Sequence, residues 1–145
     1  MRFQVVRRPP TPLRLWGPFI FWLVLIFALS TYPKAIIPQG RYISWDKLAH
    51  MVEFGVLGFL MARALSFSGI NWLAARYTWI TILFGLLYAV SDEWHQLYVK
   101  GRYASVYDVI ADFVGVIIGG FVFAILLRKS QSLQDQRAAG SELKE

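Results

Sequence analysis

The chain has 145 residues, of which 57% are hydrophobic, with 11 Phe, 7 Tyr and 6 Trp. This apolar content is typical of a membrane protein, and the length leaves no room for a separate soluble core beside a membrane domain. The absence of Cys excludes disulfides and thiol chemistry. We attribute the net charge of +6 to membrane topology and anionic lipid rather than to nucleic-acid binding.

Four segments are long and apolar enough to cross a hydrocarbon core of about 30 Å, which takes roughly 20 residues of helix. In chain order they are about 16–32, 48–65, 77–97 and 106–127. They predict an all-α fold, a four-helix transmembrane bundle. We divide the chain into a basic cytoplasmic N-terminal segment at 1–15, a four-span membrane domain at 16–128 and a disordered cytoplasmic tail at 129–145.

The first segment also resembles a signal peptide. Basic residues precede it, and Ala28-Leu29-Ser30 is similar to a cleavage site. However, its apolar run is long for a signal peptide and starts late, after three prolines. We therefore favour a retained first helix.

The distribution of Lys and Arg predicts the orientation. With the N-terminus inside, the cytoplasmic parts contain Arg2, Arg7, Arg8, Arg14, Arg63, Arg76, Arg128, Lys129, Arg137 and Lys144. The opposite side contains Lys34, Arg41, Lys47, Lys100 and Arg102. Because cytoplasmic loops are richer in basic residues, we expect a multi-pass protein of the inner (plasma) membrane with both termini in the cytoplasm.

Three clusters of ionisable residues interrupt the apolar sequence. They are Asp46, His50 and Glu53; Asp92, Glu93 and His95; and Asp108 with Asp112. The first opens the second span, the second closes the third, and the third opens the fourth, so all three are expected at the outer end of the bundle. The residues that we expect to line one cavity there are His50, Glu53, Asp92, Glu93, Gln96, Arg102, Asp108 and Asp112. Ionisable groups in a membrane span are costly and indicate a functional site.

Helical spacing places several of these residues on shared faces. Asp46, His50 and Glu53 are four and three residues apart, and Asp108 and Asp112 are four apart. Glu53 lies about 10 Å deeper than Asp46, which requires a bundle interior or a watery cavity. On the Asp112 face, Gly115 and Gly119 follow at the same spacing and indicate close helix packing.

Structural roles compete with the functional interpretation. Asp46 and Asp108 are each placed to cap a helix. Asp92 and Glu93, near a helix C-terminus, oppose the helix dipole and need compensation from Arg102, Lys47 or a bound cation. A salt bridge to Arg102 is the simplest structural alternative. We favour a site over a purely structural polar network.

The residues Asp46-Lys47 with His50, Asp92-Glu93 with His95-Gln96, Gly101-Arg102, Ser105, Asp108, Asp112 and Gly115 resemble the signature of the VanZ-like membrane protein family. The resemblance covers about residues 45–120. It implies a membrane protein of the cell envelope, similar to a factor that lowers susceptibility to the glycopeptide antibiotic teicoplanin. Members outside resistance clusters are common, so resistance does not follow from the resemblance.

Three functions remain open. A binding site would hold a lipid-linked or glycopeptide group through Asp46, Asp92, Glu93, Gln96, Arg102 and Asp108. In that site, Arg102 and Lys100 would bind a phosphate or carboxylate of the ligand. An enzyme would use His50, Glu53, His95 or Asp112 as catalytic groups on a lipid-linked headgroup. A proton-coupled transporter is least favoured. Cofactor and metal are not specified by the sequence, and an oligomer is compatible with it.

Overall fold

A computed structural model describes residues 11–32 and 43–142. Within these ranges the chain forms four helices and no strands: α1 (Pro12–Thr31), α2 (Ile43–Ser66), α3 (Asn71–Gln96) and α4 (Val106–Glu142). Each helix contains a stretch long and apolar enough to cross a membrane. The predicted all-α class with four spans is confirmed.

The helices pack so that α2 and α3 each contact both α1 and α4, whereas α1 and α4 do not touch within the described ranges. Helices α1 and α2 run antiparallel, since Trp22 contacts Glu53 and Arg14 contacts Arg63. Helices α2 and α4 run parallel. The C-terminus of α1, the N-terminus of α2 and the 97–105 connection therefore lie at one end of the bundle, and the 67–70 connection lies at the other.

Apolar side chains point both into and out of the bundle. The core contains Phe19, Ile26, Phe54, Leu57, Met61, Leu65, Ala89 and Val116. Many large apolar residues of the same helices are exposed, among them Ile20, Val24, Leu83, Leu87, Ile117 and Phe121. Outward apolar surface on four long helices is expected when lipid is the solvent. Helix α1 contributes Phe19 and Ile26 to this core.

The closest packing is between α2 and α4, through glycines on both helices. A Cβ on Gly119 would overlap the carbonyl oxygen of Gly55, and one on Gly115 would overlap that of Met51. On α2, a Cβ on Gly58 would collide with the backbone of Val116. The predicted packing role of Gly115 and Gly119 is confirmed, because only glycine lets the two backbones approach this far.

The helix boundaries differ from the apolar segments. Helix α3 starts at Asn71 rather than near 77, and α4 continues to Glu142 through the segment predicted as a disordered tail. The length of an apolar run predicts only the part of a helix that crosses the hydrocarbon, and the helix itself can extend beyond that part. The described part of the tail, which is exposed over residues 129–141, contains Ala, Leu, Gln, Arg and Glu, which favour helix.

Helix α1 contains Pro18 without a break. Proline has no N–H, so the carbonyl of Arg14, four residues earlier, lacks its usual helical donor. The guanidinium of Arg63 on α2 donates to that carbonyl at 3.4 Å and to the carbonyl of Leu15 at 3.5 Å. A basic residue of the second span thus compensates for a proline in the first.

Candidate functional site

The three polar clusters meet at one end of the bundle. Helix α2 contributes its first turns, α3 its last and α4 its first, and the C-terminal end of α1 closes the fourth side. Most of the cluster is buried: His50, Asp92, Glu93, Gln96, Asp108 and Asp112 are each no more than 7% exposed. Side-chain contacts join residues that are up to 73 positions apart in the chain.

The centre of the cluster is the pair formed by His50 and Asp112. Nδ1 of His50 lies 3.0 Å from Oδ1 of Asp112, and Asp112 is fully buried. The pair links α2 to α4 directly above the glycine contact, because Gly115 is one turn below Asp112. Backbone proximity at Gly115 therefore fixes the distance between the imidazole and the carboxylate.

A second link between α2 and α4 is the ion pair of Lys47 with Asp108. Asp46 and Asp108 lie inside the first turns of α2 and α4, not at the preceding cap position. The capping role considered for both is wrong, since the helices begin at Ile43 and Val106. Their charges still favour the positive helix N-terminus.

The acids of α3 are held by hydrogen bonds. Oδ2 of Asp92 accepts from the amide of Gln96 at 2.9 Å, and Oε2 of Glu93 accepts from the backbone N–H of Ser105 at 2.7 Å. The carbonyl of Ser105 in turn accepts from the N–H of Asp108 in the first turn of α4. Glu93 thus joins the end of α3 to the beginning of α4.

In the described part of the chain, Arg102 does not form the ion pair with the α3 acids that was the structural alternative to a ligand site. Its Nη2 donates to the carbonyl of Leu29 at 2.8 Å, and its Nε to that of Tyr32 at 3.3 Å. These are carbonyls at the C-terminus of α1, where a cation is favourable. Gly101, with φ of 82°, supplies the left-handed backbone that precedes it.

A cavity of about 100 Å³ opens between α1, α2 and α3 beside this cluster. Its polar lining consists of Ser30, Asp46, His50, Glu53, Asp92, Gln96 and Arg102, and its apolar lining of Ile26, Leu29 and Ala49. Of the residues expected to share one cavity, Glu93, Asp108 and Asp112 are not part of this lining. They form the polar layer that contacts it, with His50 belonging to both.

The protein-family comparison matches the VanZ/LLP1 model over residues 12–128. This match includes α1, α2, α3, the part of α4 up to residue 128, and every residue of the cavity. The chain belongs to the VanZ/LLP1 family. No curated protein and no solved structure matches it significantly.

The other histidine of this VanZ/LLP1 protein is set apart from the cluster. The ring of His95 stacks on Phe27 of α1, with centroids 4.6 Å apart. His95 does not line the cavity, and within the described residues its Nδ1 has no hydrogen-bond partner. Among the catalytic candidates, His50 contacts Asp112 and lines the cavity together with Glu53, whereas His95 is not part of this lining.

Sequence reasoning missed the contribution of α1. Ser30 lines the cavity and is 5% exposed, and the carbonyl of Leu29 receives Arg102. A serine and two backbone carbonyls in an apolar helix give no distinctive sequence signal. The first span has no ionisable residue within its apolar run, so nothing in it indicated which face meets the site.

Some buried hydrogen-bond acceptors near His50 are unsatisfied within the described ranges. Within the described ranges, Oδ2 of Asp112 and Oε1 of Glu93 are buried and have no hydrogen-bond partner. Buried carboxylate oxygens are normally paired, because an unmet acceptor loses its hydration. The imidazole can serve as base, proton donor or metal ligand, and the carboxylates can orient it or bind a cation.

Proposed function

We propose that this VanZ/LLP1 family member acts in cell-envelope physiology, through a polar site on the extracytoplasmic side of the inner membrane, and contributes to tolerance of glycopeptides such as teicoplanin. The observation that carries the proposal is the cavity lined by Asp46, His50, Glu53, Asp92 and Arg102 within a membrane-spanning bundle. Charged side chains at this depth are costly in a membrane and are retained where they bind or react.

The size of the cavity limits what enters it. Sites for drug-sized ligands have volumes of about 300–1,000 Å³, against about 100 Å³ here. A whole glycopeptide does not fit. A single polar group, such as the headgroup moiety of an envelope lipid or lipid-linked precursor, is the appropriate class of ligand.

The charge of the lining limits the ligand further. Asp46, Glu53 and Asp92 face the cavity together with Arg102, whose described hydrogen bonds go to α1 carbonyls. The acidic groups of this lining favour an ammonium or hydroxyl group. A phosphate or carboxylate would require an additional cation to offset the repulsion.

The test is to express the protein in a glycopeptide-sensitive bacterium and to measure teicoplanin susceptibility. We expect lower susceptibility than with an empty vector, and loss of the effect with Glu53→Gln at unchanged membrane abundance. Gln keeps the volume of the side chain but removes its charge. Asp135→Asn, on the exposed end of α4, is the matched control. Full tolerance with Glu53→Gln would contradict the proposal.

An enzymatic function is the second candidate, and the His50–Asp112 contact is the observation that favours it. A buried carboxylate 3.0 Å from an imidazole that borders a cavity is the arrangement of a general base and the group that orients it. The substrate class would be a lipid-linked headgroup or peptidoglycan precursor. Headgroup release by purified protein, abolished by His50→Gln, would establish it, and no turnover of such lipids would count against it.

A further inference from the structure

Three side chains from three helices converge behind the cavity. His50 of α2, Glu93 of α3 and Asp112 of α4 each place one potential ligand atom so that all three atoms lie within 4.8 Å of one another. Two ligands on one ion, each at about 2.0–2.2 Å, are at most about 4.4 Å apart. Rotamer adjustments of a few tenths of an ångström would therefore let all three reach one ion.

Both carboxylates of this trio have an oxygen that accepts no hydrogen bond within the described ranges. Asp112 is 0% and Glu93 is 5% exposed, and each has one oxygen without a partner within the described ranges. The other oxygen of each is engaged, by His50 and by the N–H of Ser105 respectively. The side chains are thus held in place while an oxygen on each remains available.

In the described part of the chain, neither Glu93 nor Asp112 forms an ion pair with Lys or Arg. Lys47 is paired with Asp108, and Arg102 is bound to carbonyls of α1. Two buried acids with no Lys or Arg partner, beside a third at Asp92, leave an excess of negative charge that a bound cation would offset.

We propose that His50, Glu93 and Asp112 bind one divalent first-row transition cation, Mn²⁺ or Zn²⁺. One imidazole with two carboxylates is a mixed nitrogen–oxygen donor set that suits these ions, whereas Mg²⁺ and Ca²⁺ prefer oxygen alone. The cation enters through the cavity that His50 borders.

This inference deepens the proposed function of the same site. A cation beside the cavity would supply the positive charge that an anionic headgroup requires. The binding of an envelope phosphate would then depend on the metal, because the acidic lining alone repels it.

The experiment is titration of purified protein with Mn²⁺ alone, following the electron paramagnetic resonance signal of the free ion. The protein is purified in detergent through a tag that contains no histidine. We expect one saturable Mn²⁺ per chain, and affinity weakened by about tenfold or more in His50→Gln, Glu93→Gln and Asp112→Asn. His95→Gln is the matched histidine control and retains binding. No saturable binding of Mn²⁺ or of competing Zn²⁺, or equal affinity in all variants, would overturn the proposal.

A second measurement needs only the unaltered protein, so it holds even where a variant fails to fold. Pulsed electron paramagnetic resonance of the bound Mn²⁺ detects coupling to a directly bound imidazole nitrogen. We expect one such nitrogen. Bound Mn²⁺ without nitrogen coupling would place the ion elsewhere and refute the site.

The experiments distinguish failure of the metal-binding proposal from failure of the proposed envelope function. If purified protein binds no metal but Glu53→Gln still abolishes tolerance, the cation is refuted and the site remains. If Mn²⁺ binds with the expected nitrogen coupling but no variant affects tolerance, the proposed function is refuted and the cation remains.

Discussion

His50 and Asp112 are 3.0 Å apart although 62 residues separate them in the chain. They meet because α2 and α4 run parallel and approach at glycines immediately below the pair. The contact therefore depends on two features of the sequence together: ionisable residues near the starts of two spans, and small residues one and two turns farther along α4. Packing in the bundle and chemistry in the site are coupled at this point.

The glycine contact yields the first prediction. Gly119→Ala should lower the thermal stability of the protein in detergent, because the new methyl group would overlap the Gly55 carbonyl oxygen. Overpacking of this kind costs about 1–3 kcal/mol. Gly120→Ala is the control, since its Cβ would lie 3.9 Å from Thr81 Cγ2 in ordinary contact. Equal melting temperatures for the two variants would contradict the close approach of α2 and α4.

The buried pair yields a second prediction. Asp112→Asn or His50→Gln should each destabilise the protein by about 3–5 kcal/mol, because each leaves a buried polar partner without its complement. In the double variant the loss should be smaller than the sum of the two, by about 0.5–3 kcal/mol. A double-mutant cycle of unfolding free energies measures this coupling. Strict additivity would show that the two side chains do not interact.

Arg102 yields a third prediction. Arg102→Lys keeps the charge but loses the fork that reaches two carbonyls of α1. We expect the C-terminal end of α1 to loosen, seen as faster amide hydrogen exchange around residues 29–32, with little change at the far end of α1. Unchanged exchange at these residues would mean that the guanidinium does not hold α1.

The sequence predicted the four spans and the end of the bundle at which the polar residues meet, because both follow from apolar run length and from where ionisable residues interrupt it. The residues at which the helices begin and end were harder to predict from the sequence. Capping was an alternative role for Asp46 and Asp108 because the apolar runs start after them, whereas the helices start earlier, at Ile43 and Val106.

The contacts between residues of different helices could not be predicted from the sequence. A salt bridge between Arg102 and the acids of α3 was the structural alternative, yet Arg102 donates to carbonyls of α1, whose position in the bundle has no sequence signature. The separation of His95 from His50 has the same origin. Spacing along one helix shows which residues share a face, but the neighbour of that face depends on how four helices pack.

Membrane orientation is tested with single cysteines, for which the chain is suited because it contains none of its own. In intact cells an impermeant thiol reagent should label a cysteine at Ala104, in the 97–105 connection, but not one at Ser68, in the 67–70 connection. After permeabilisation both should react. The opposite pattern would place the polar end of the bundle in the cytoplasm and reverse the proposed topology.

The central claim is that the polar residues form an acidic cavity open to the outer side of the membrane. Ala49 lines that cavity and has a small side chain, so the rate of labelling of Ala49→Cys in intact cells tests the claim most directly. A cationic methanethiosulfonate reagent should react faster than an anionic one of similar size, and Glu53→Gln should reduce this preference. Labelling only after permeabilisation, or equal rates for the two reagents, would contradict the account.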